Sequence, residues 1–253
     1  MKKPEIIPCY GTSNLSRRHG KIEYIVIHYT AGVTDKPGTA LANAQYYGGG
    51  MKGASADFFV DKETIIQYNE DIKNAYSWAV GGNRYIGTKG GKLYGVCTNR
   101  NSVSIEMCSY NTSGKVANAN DKTWRICKEV YQKTVELTRW LMEELDVDAD
   151  HVIRHYDVTG KLCPGVIGWN EASGDTSHWA RFQKDIRFPE SEETEMPKIY
   201  HYVAEMPEWA REAATKAINA GIIKMDNTGA VNVYEQNLQP LVWLDRLGLL
   251  ENY

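Results

Sequence analysis

Two metal-donor side chains, His155 and Cys163, stand eight positions apart in the stretch Arg154-His155-Tyr156-Asp157-Val158-Thr159-Gly160-Lys161-Leu162-Cys163-Pro164-Gly165. This spacing constrains the fold more than any other feature of the chain. Gly160 allows a turn between the two residues, and Pro164-Gly165 closes the segment. Imidazole and thiolate are both good zinc donors, and a loop of this length lets them reach one point. Two donors do not make a site, so a fold that uses them must bring a third from far away. His28, at the end of the apolar run Tyr24-Ile25-Val26-Ile27, is the best candidate.

That run is short, β-branched and without helical period, which predicts a buried strand with Tyr24, Val26 and His28 on one face. Gly38 to Tyr47 is helix-compatible and stops at Gly48-Gly49-Gly50. Asp57-Phe-Phe-Val, a turn, and Thr64-Ile-Ile-Gln-Tyr read as a hairpin. Asn74 to Gly82 and the glycine-rich region to Gly95 read as loop. Val103 to Cys108 reads as a strand with Ser104, Glu106 and Cys108 on one face. Thr123 to Leu145 reads as the longest helix, with Ile126, Val130, Leu137, Leu141 and Leu145 on one stripe and Asp121 as N-cap. His151-Val-Ile-Arg is a last short strand delivering His155, and Thr176 to Ile186 is a further helix. Strands and helices alternating in this way point to an α/β layer architecture.

A chain of 253 residues has room for one large domain and a small one. The acidic, proline-flanked segment 189–197 reads as a linker, so the expected division is a domain over 1–187, a linker over 188–200 and a small helical domain over 201–253. In that tail Pro207-Glu-Trp opens a helix running to Gly221, with Trp209, Ala213 and Ala217 on one side. A second helical piece spans Leu238 to Leu250. Its apolar anchors are few, which predicts support from a second copy or from the main domain.

The net charge of −3, with no cluster of Lys/Arg and aromatics, gives no basis for nucleic-acid binding. No stretch is apolar enough to span a membrane, and the N-terminus has two lysines without a long apolar segment. The expectation is a protein made in the cytosol that leaves by a route other than a cleaved leader. Five scattered cysteines suit reduced thiols better than a disulfide framework.

His155 and Cys163 taken singly are a surface histidine and a structural thiol. Taken with His28 they make three ligands with an open fourth position, the pattern of catalytic zinc, at which water is acidified towards a pKa of about 7. His151, His178, His19 and His201 are competing ligands. Glu106 in mid-strand is either a satisfied carboxylate or a general base. Lys161 is either a solvated lysine or a cation placed where negative charge develops on an attacked carbonyl oxygen.

The segments "YIVIHYTAG", "SADFFVDKETIIQ", "NSVSIEMC" and "RHYDVTGKLCPG" occur in the order in which they resemble the zinc-dependent N-acetylmuramoyl-L-alanine amidases of phage endolysins and peptidoglycan recognition proteins. The resemblance runs from about Tyr24 to Ile186. It implies a central mixed β-sheet flanked by helices, with His28, His155 and Cys163 on Zn2+ and Glu106 and Lys161 as catalytic residues. It also implies cleavage of the amide joining the lactyl group of N-acetylmuramic acid to L-alanine in bacterial peptidoglycan. Trp78, Tyr29 and Thr30 are the candidate substrate-binding residues. Where some members carry a hairpin Tyr and then His, this chain has Ala56 and Asp57, which favours Glu106 as base. The Cys ligand is retained, whereas the non-catalytic binders of the family lose it. The alternatives are a recognition module that holds muropeptide without cutting it, and a structural zinc domain.

The tail segment "MPEWAREAATKAINAGIIK" is similar to an S-layer-homology repeat, which implies attachment to a secondary wall polymer. Residues 196–253 hold five Lys/Arg and seven Asp/Glu, so simple attraction to an anionic polymer is not the mechanism. Homodimerisation through the tail is the other reading. Together the two resemblances imply a phage or prophage endolysin, expected to reach the wall at lysis.

Overall fold

The structure is a computed structural model that describes residues 2–188 and 198–250. The chain divides into two compact units, Met1–Pro189 and Glu190–Tyr253. The first is built on a six-stranded sheet in the order β1-β5-β4-β7-β3-β10. These strands are β1 (Ile7–Pro8), β3 (Tyr24–Tyr29), β4 (Phe58–Val60), β5 (Ile65–Gln67), β7 (Ser102–Met107) and β10 (Val152–Arg154). The β4–β5 hairpin is antiparallel and every other pairing is parallel, so the sheet is mixed. Two further pairs lie beside it: β2 (Leu15–Arg17) with β6 (Ala75–Ser77), and β8 (Tyr110–Asn111) with β9 (Trp124–Arg125).

Every residue of β3 is buried, as expected of a strand covered on both faces. Ile25, Ile27 and Tyr29, with Val103, Ile105 and Met107 of β7, face a core closed by Leu137, Leu141 and Phe182. Those last residues come from α2 (Lys128–Leu145) and α4 (Ser177–Arg187). On the opposite face Phe59, Ile66 and Cys108 pack with Ala40 and Ala44 of α1 (Thr39–Gly48). Helices thus flank the sheet on both sides.

Three local readings are corrected. The long helix begins at Lys128 rather than Thr123, with Cys127 and not Asp121 at its N-cap. The Asp121 carboxylate instead takes the N–H of Thr123 at 2.8 Å in a local turn. The fully buried Trp124 is drawn into the core from β9. Residues 75–77, read as loop, pair with β2, a three-residue ladder too short to show a period. His151 lies in a 3-10 turn ahead of β10, paired with Asp148 at 3.1 Å.

The turn after β10 is locked by charge. Arg154 Nε and Nη2 donate to the two carboxylate oxygens of Asp157 at 2.9 and 2.8 Å, and Arg154 Nη1 donates to the Trp169 carbonyl at 2.7 Å. His155, between the paired residues, opens the short helix α3 (His155–Thr159). Gly160 ends it in the left-handed region at φ 79°. Gly165 is required two residues after Cys163, because a Cβ there would meet the Ala119 carbonyl oxygen and the Tyr29 hydroxyl, each at 2.4 Å.

The expected linker over 189–197 lies outside the described residues. Beyond it the second unit pairs β11 (Ile199–Tyr200) with β12 (Val233–Tyr234) and packs α5 (Glu208–Asn219) on α6 (Leu238–Arg246). The tail was expected to have few apolar anchors, and it has its own core of Tyr200, Met206, Ala210, Ala213, Ala214, Ala217, Leu238 and Leu241. Trp209, expected on the same side as Ala213 and Ala217, is 54% exposed.

The Arg154–Asp157 pair is almost fully buried, with side-chain exposures of 3% and 6%. Asp157→Ala leaves the guanidinium with the Trp169 carbonyl and the exposed Glu171 but without its buried counter-charge, at a cost of about 3 kcal/mol, the lower end of the range for breaking a buried pair. Urea unfolding of the variant against the parent checks this.

Candidate metal centre and active site

The C-terminal end of β3 and the segment after β10 bring His28, His155 and Cys163 together. Their donor atoms all lie within 4.8 Å of one another, and all three residues are buried. They are the only group of three or more His, Cys, Asp or Glu among the described residues that could hold a metal ion. His28 Nδ1 stands 3.7 Å from Cys163 Sγ, and the two imidazole rings are 4.7 Å apart at 60°. The competing histidines are elsewhere: His19 and His178 are exposed, and exposed His201 meets Asn232.

The hydrogen bonds define which nitrogens are available. His155 Nε2 is 3.0 Å from the Val80 carbonyl oxygen. A carbonyl only accepts, so the proton sits on Nε2 and Nδ1 keeps its lone pair. That Nδ1 is buried with no hydrogen-bond partner. Val80 is presented by a loop in which Ala79, Val80 and Gly81 all donate their N–H groups to Asn99 Oδ1. Cys163 is tied back to α3 through the Tyr156 N–H, which donates to its carbonyl at 2.9 Å.

Burial drives the electrostatics. It lowers the His28 pKa well below the usual imidazole value, with His155 and then Lys161 adding to the effect. Burial, then Lys161, takes His155 down to about 3, against the opposing pull of the Val80 carbonyl. Both rings are therefore neutral and able to donate electron pairs. Burial, reinforced by Glu106, pushes the Cys163 thiol up to about 12, while Lys161 and the Tyr29 N–H act in the other direction. Such a thiol becomes a thiolate when a cation takes the place of solvent.

These residues fit a zinc ion. Tetrahedral ligands at ordinary Zn–N and Zn–S lengths stand roughly 3.3–3.6 Å apart. The His28–Cys163 separation of 3.7 Å is close to that spacing, and the orphaned His155 Nδ1 completes a set of two nitrogens and a sulfur.

Glu106 neighbours His28 through the β3–β7 register, on the same face of the sheet. The residue is half-buried, but its Oε2 is sealed from solvent and has no hydrogen-bond partner. Burial raises its carboxyl to about 7, with Lys161 opposing the rise. A carboxyl titrating there exchanges protons readily near neutrality. Lys161 is exposed on the loop before Cys163, and its charge bears on both imidazoles, the thiol and the carboxyl.

The three candidate substrate contacts are placed differently from one another. The Tyr29 ring is 6% exposed and stands edge-on to Trp124 in the core, so its burial keeps it from offering a face to substrate. Its N–H serves Cys163 instead. Thr30 Oγ1 accepts from the N–H groups of Gly32 and Ser109, each at 3.2 Å, bracing the loops after β3 and β7. The Trp78 indole is half-buried and donates to Ser16 Oγ at 2.9 Å. Sequence reasoning missed the Val80 carbonyl, which has no side-chain signature, and the Arg154–Asp157 lock, which was visible as opposite charges three positions apart around His155.

Comparison with known proteins agrees with this geometry. The family described as N-acetylmuramoyl-L-alanine amidase (Amidase_2) matches residues 18–166. The N-acetylmuramoyl-L-alanine amidase CwlL of Bacillus licheniformis is 30% identical over 175 residues, covering 65% of this chain and 41% of that protein. The chain thus spans less than half the length of this curated relative. Among solved structures, PlyL superposes with a TM-score of 0.52 at 22% identity, covering 72% of this chain and 97% of that one. A mutant endolysin from Bacillus subtilis gives 0.51 at 25% identity, covering 72% and 98%. The family match takes in more than half of the chain and both β3 and Cys163, and the chain belongs to the N-acetylmuramoyl-L-alanine amidase family.

Proposed function

We propose that the chain is a peptidoglycan hydrolase that cleaves the amide between the lactyl group of N-acetylmuramic acid and L-alanine, with zinc held by His28, His155 and Cys163. The observation that carries the proposal is the convergence of these three donors beside a sealed carboxylate, in a chain of the amidase family. A bound zinc ion supplies Lewis acidity, drawing electron density from the scissile carbonyl and acidifying water.

The remaining work falls to the protein. Glu106 takes a proton from the attacking water and returns it to the departing amine, a task suited to a carboxyl held near neutral titration. Lys161 places its ammonium against the developing oxyanion. The Tyr29 N–H stabilises the thiolate of Cys163, and the Val80 carbonyl fixes the tautomer of His155. Trp78 and Thr30 contact the substrate at the rim.

The division into a catalytic domain over 1–187, a linker over 188–200 and a wall-directed domain over 201–253 is part of the same proposal. The protein acts as an endolysin released at lysis. Its tail attaches to a secondary wall polymer in the manner of an S-layer-homology repeat, or pairs two copies. The exposed Trp209, Trp243 and Leu247 support an association role for the tail.

Four outcomes are expected. Cys163→Ser removes the soft donor and loses most bound zinc, as measured by metal analysis after dialysis, while the fold by circular dichroism is kept. Glu106→Gln retains zinc and fold but lowers wall clearing by about two orders of magnitude or more, the scale of general acid–base catalysis. Mass spectrometry of the parent's wall digests should show new free amino termini on L-alanine. New reducing sugar ends would make the enzyme a glycosidase, and binding to walls without clearing them would make it a recognition module. Removal of residues 196–253 should leave cleavage of soluble muropeptide unchanged while lowering wall affinity in a pull-down, or oligomeric state in light scattering.

A further inference from the structure

His155 has its far nitrogen held by backbone, but His28 has its own held by a side chain. His28 Nε2 lies 3.2 Å from Oγ of Ser104, which shares a face of β7 with Glu106. A hydroxyl rotates and can donate or accept, so the contact by itself fixes little. The groups behind it make it directional.

Ser104 is clamped at two points of its backbone by one residue. Its N–H donates to Asp57 Oδ2 at 2.7 Å, and its carbonyl accepts the Asp57 N–H at 3.1 Å. The same carboxylate accepts the Ser77 hydroxyl at 2.8 Å and Asn69 Nδ2 at 2.7 Å. Two residues earlier, the Ser102 carbonyl accepts Arg18 Nη2 at 2.8 Å. Asp57, Asn69, Ser77 and Ser104 are all at most 3% exposed, so water does not compete for these bonds. Strand β7 therefore cannot slide, and the Ser104 hydroxyl is held beside the His28 ring.

We propose that Ser104 is a positioning residue for the metal: its Oγ accepts the Nε2–H of His28 and so aims the Nδ1 lone pair at the point shared with Cys163 and His155, with Asp57 as the hub that holds Ser104 in place. The inference rests on the proposed zinc role of His28. Without the hydroxyl, a buried N–H is left unpaired and the ring loses the contact that selects its tautomer.

The test uses the full chain and zinc alone as probe, in competition with a chromogenic chelator. Ser104→Ala should weaken zinc binding tenfold or more, within the range for loss of a partner that orients a ligand. Ser104→Thr, which keeps the hydroxyl, should recover most of that loss. In the zinc-loaded parent, nitrogen–proton correlation spectra should place the His28 proton on Nε2 in slow exchange, and Ser104→Ala should speed that exchange. A Ser104→Ala protein that binds zinc within twofold of the parent overturns the proposal. So does a zinc-loaded parent with the His28 proton on Nδ1, a measurement that needs no variant to fold. Zinc affinity is read apart from wall cleavage. A parent that binds zinc and cuts nothing therefore defeats the amidase reading, whereas normal zinc affinity in Ser104→Ala defeats this one.

Discussion

Parallel pairing of Tyr24–Tyr29 with Ser102–Met107 sets the register on which the site depends, because it places His28 directly beside Glu106. In a strand the side-chain period is two, so a slip of one residue would send His28 into the helix-covered core and bring Ile27 out. The apolar set Ile25, Ile27, Tyr29, Val103, Ile105 and Met107 prevents that slip, since every member is buried against the α2 and α4 side. The residues that stabilise the sheet on one face thus fix the chemistry on the other. Strand β10 joins the edge of β3 in the same direction, which delivers His155 and, after the Gly160 turn, Cys163 to the same end of the sheet.

Burial then gives the site its electrical character. With solvent excluded, neutral imidazoles and a protonated thiol are the favoured states of the three donors, and the neighbouring carboxyl is raised to about 7. Lys161, exposed at the mouth, is the nearby positive charge that bears on all four groups. A dication at the shared point reverses the preference of the thiol and keeps that of the imidazoles, so the pocket suits a metal better than it suits being empty of charge. Excluding water serves both purposes: it leaves the lone pairs free and makes nearby charges felt strongly.

Much of this was legible in the sequence because donor chemistry and strand period are local properties. His28 could be assigned to the end of an apolar run, Glu106 to the face opposite Val103 and Ile105, and His155 and Cys163 to two sides of a glycine turn. The rest depended on tertiary context. The start of α2 moved because Trp124 is worth more buried in the core than as part of a helix, a preference that no window around residue 124 contains. β2 and β6 are three residues each, shorter than any period that could announce them. In the tail, helical spacing put Trp209 on one side with Ala213 and Ala217, whereas the two alanines are buried and the tryptophan is exposed. Packing of α5 on α6 favours the small stripe Ala210, Ala213, Ala214 and Ala217, which lets the helices approach closely, and Trp209 is left outside.

The orphaned polar atoms show where the fold gives up stability for chemistry. Each buried polar atom without a partner costs about 1–3 kcal/mol. Among the described residues such atoms include His155 Nδ1 and Glu106 Oε2. Asp57 takes three side-chain or backbone donors and Arg154 is matched to Asp157 on two nitrogens, while Asn69 Oδ1, beside Asp57, is also bare. Of the bare atoms, the His155 ring nitrogen and the Glu106 carboxylate oxygen are the two that stand beside His28 and Cys163. In the proposed mechanism a metal ion answers the first and a water proton the second. The local cost is offset by the unbroken apolar layer on the far face of the sheet.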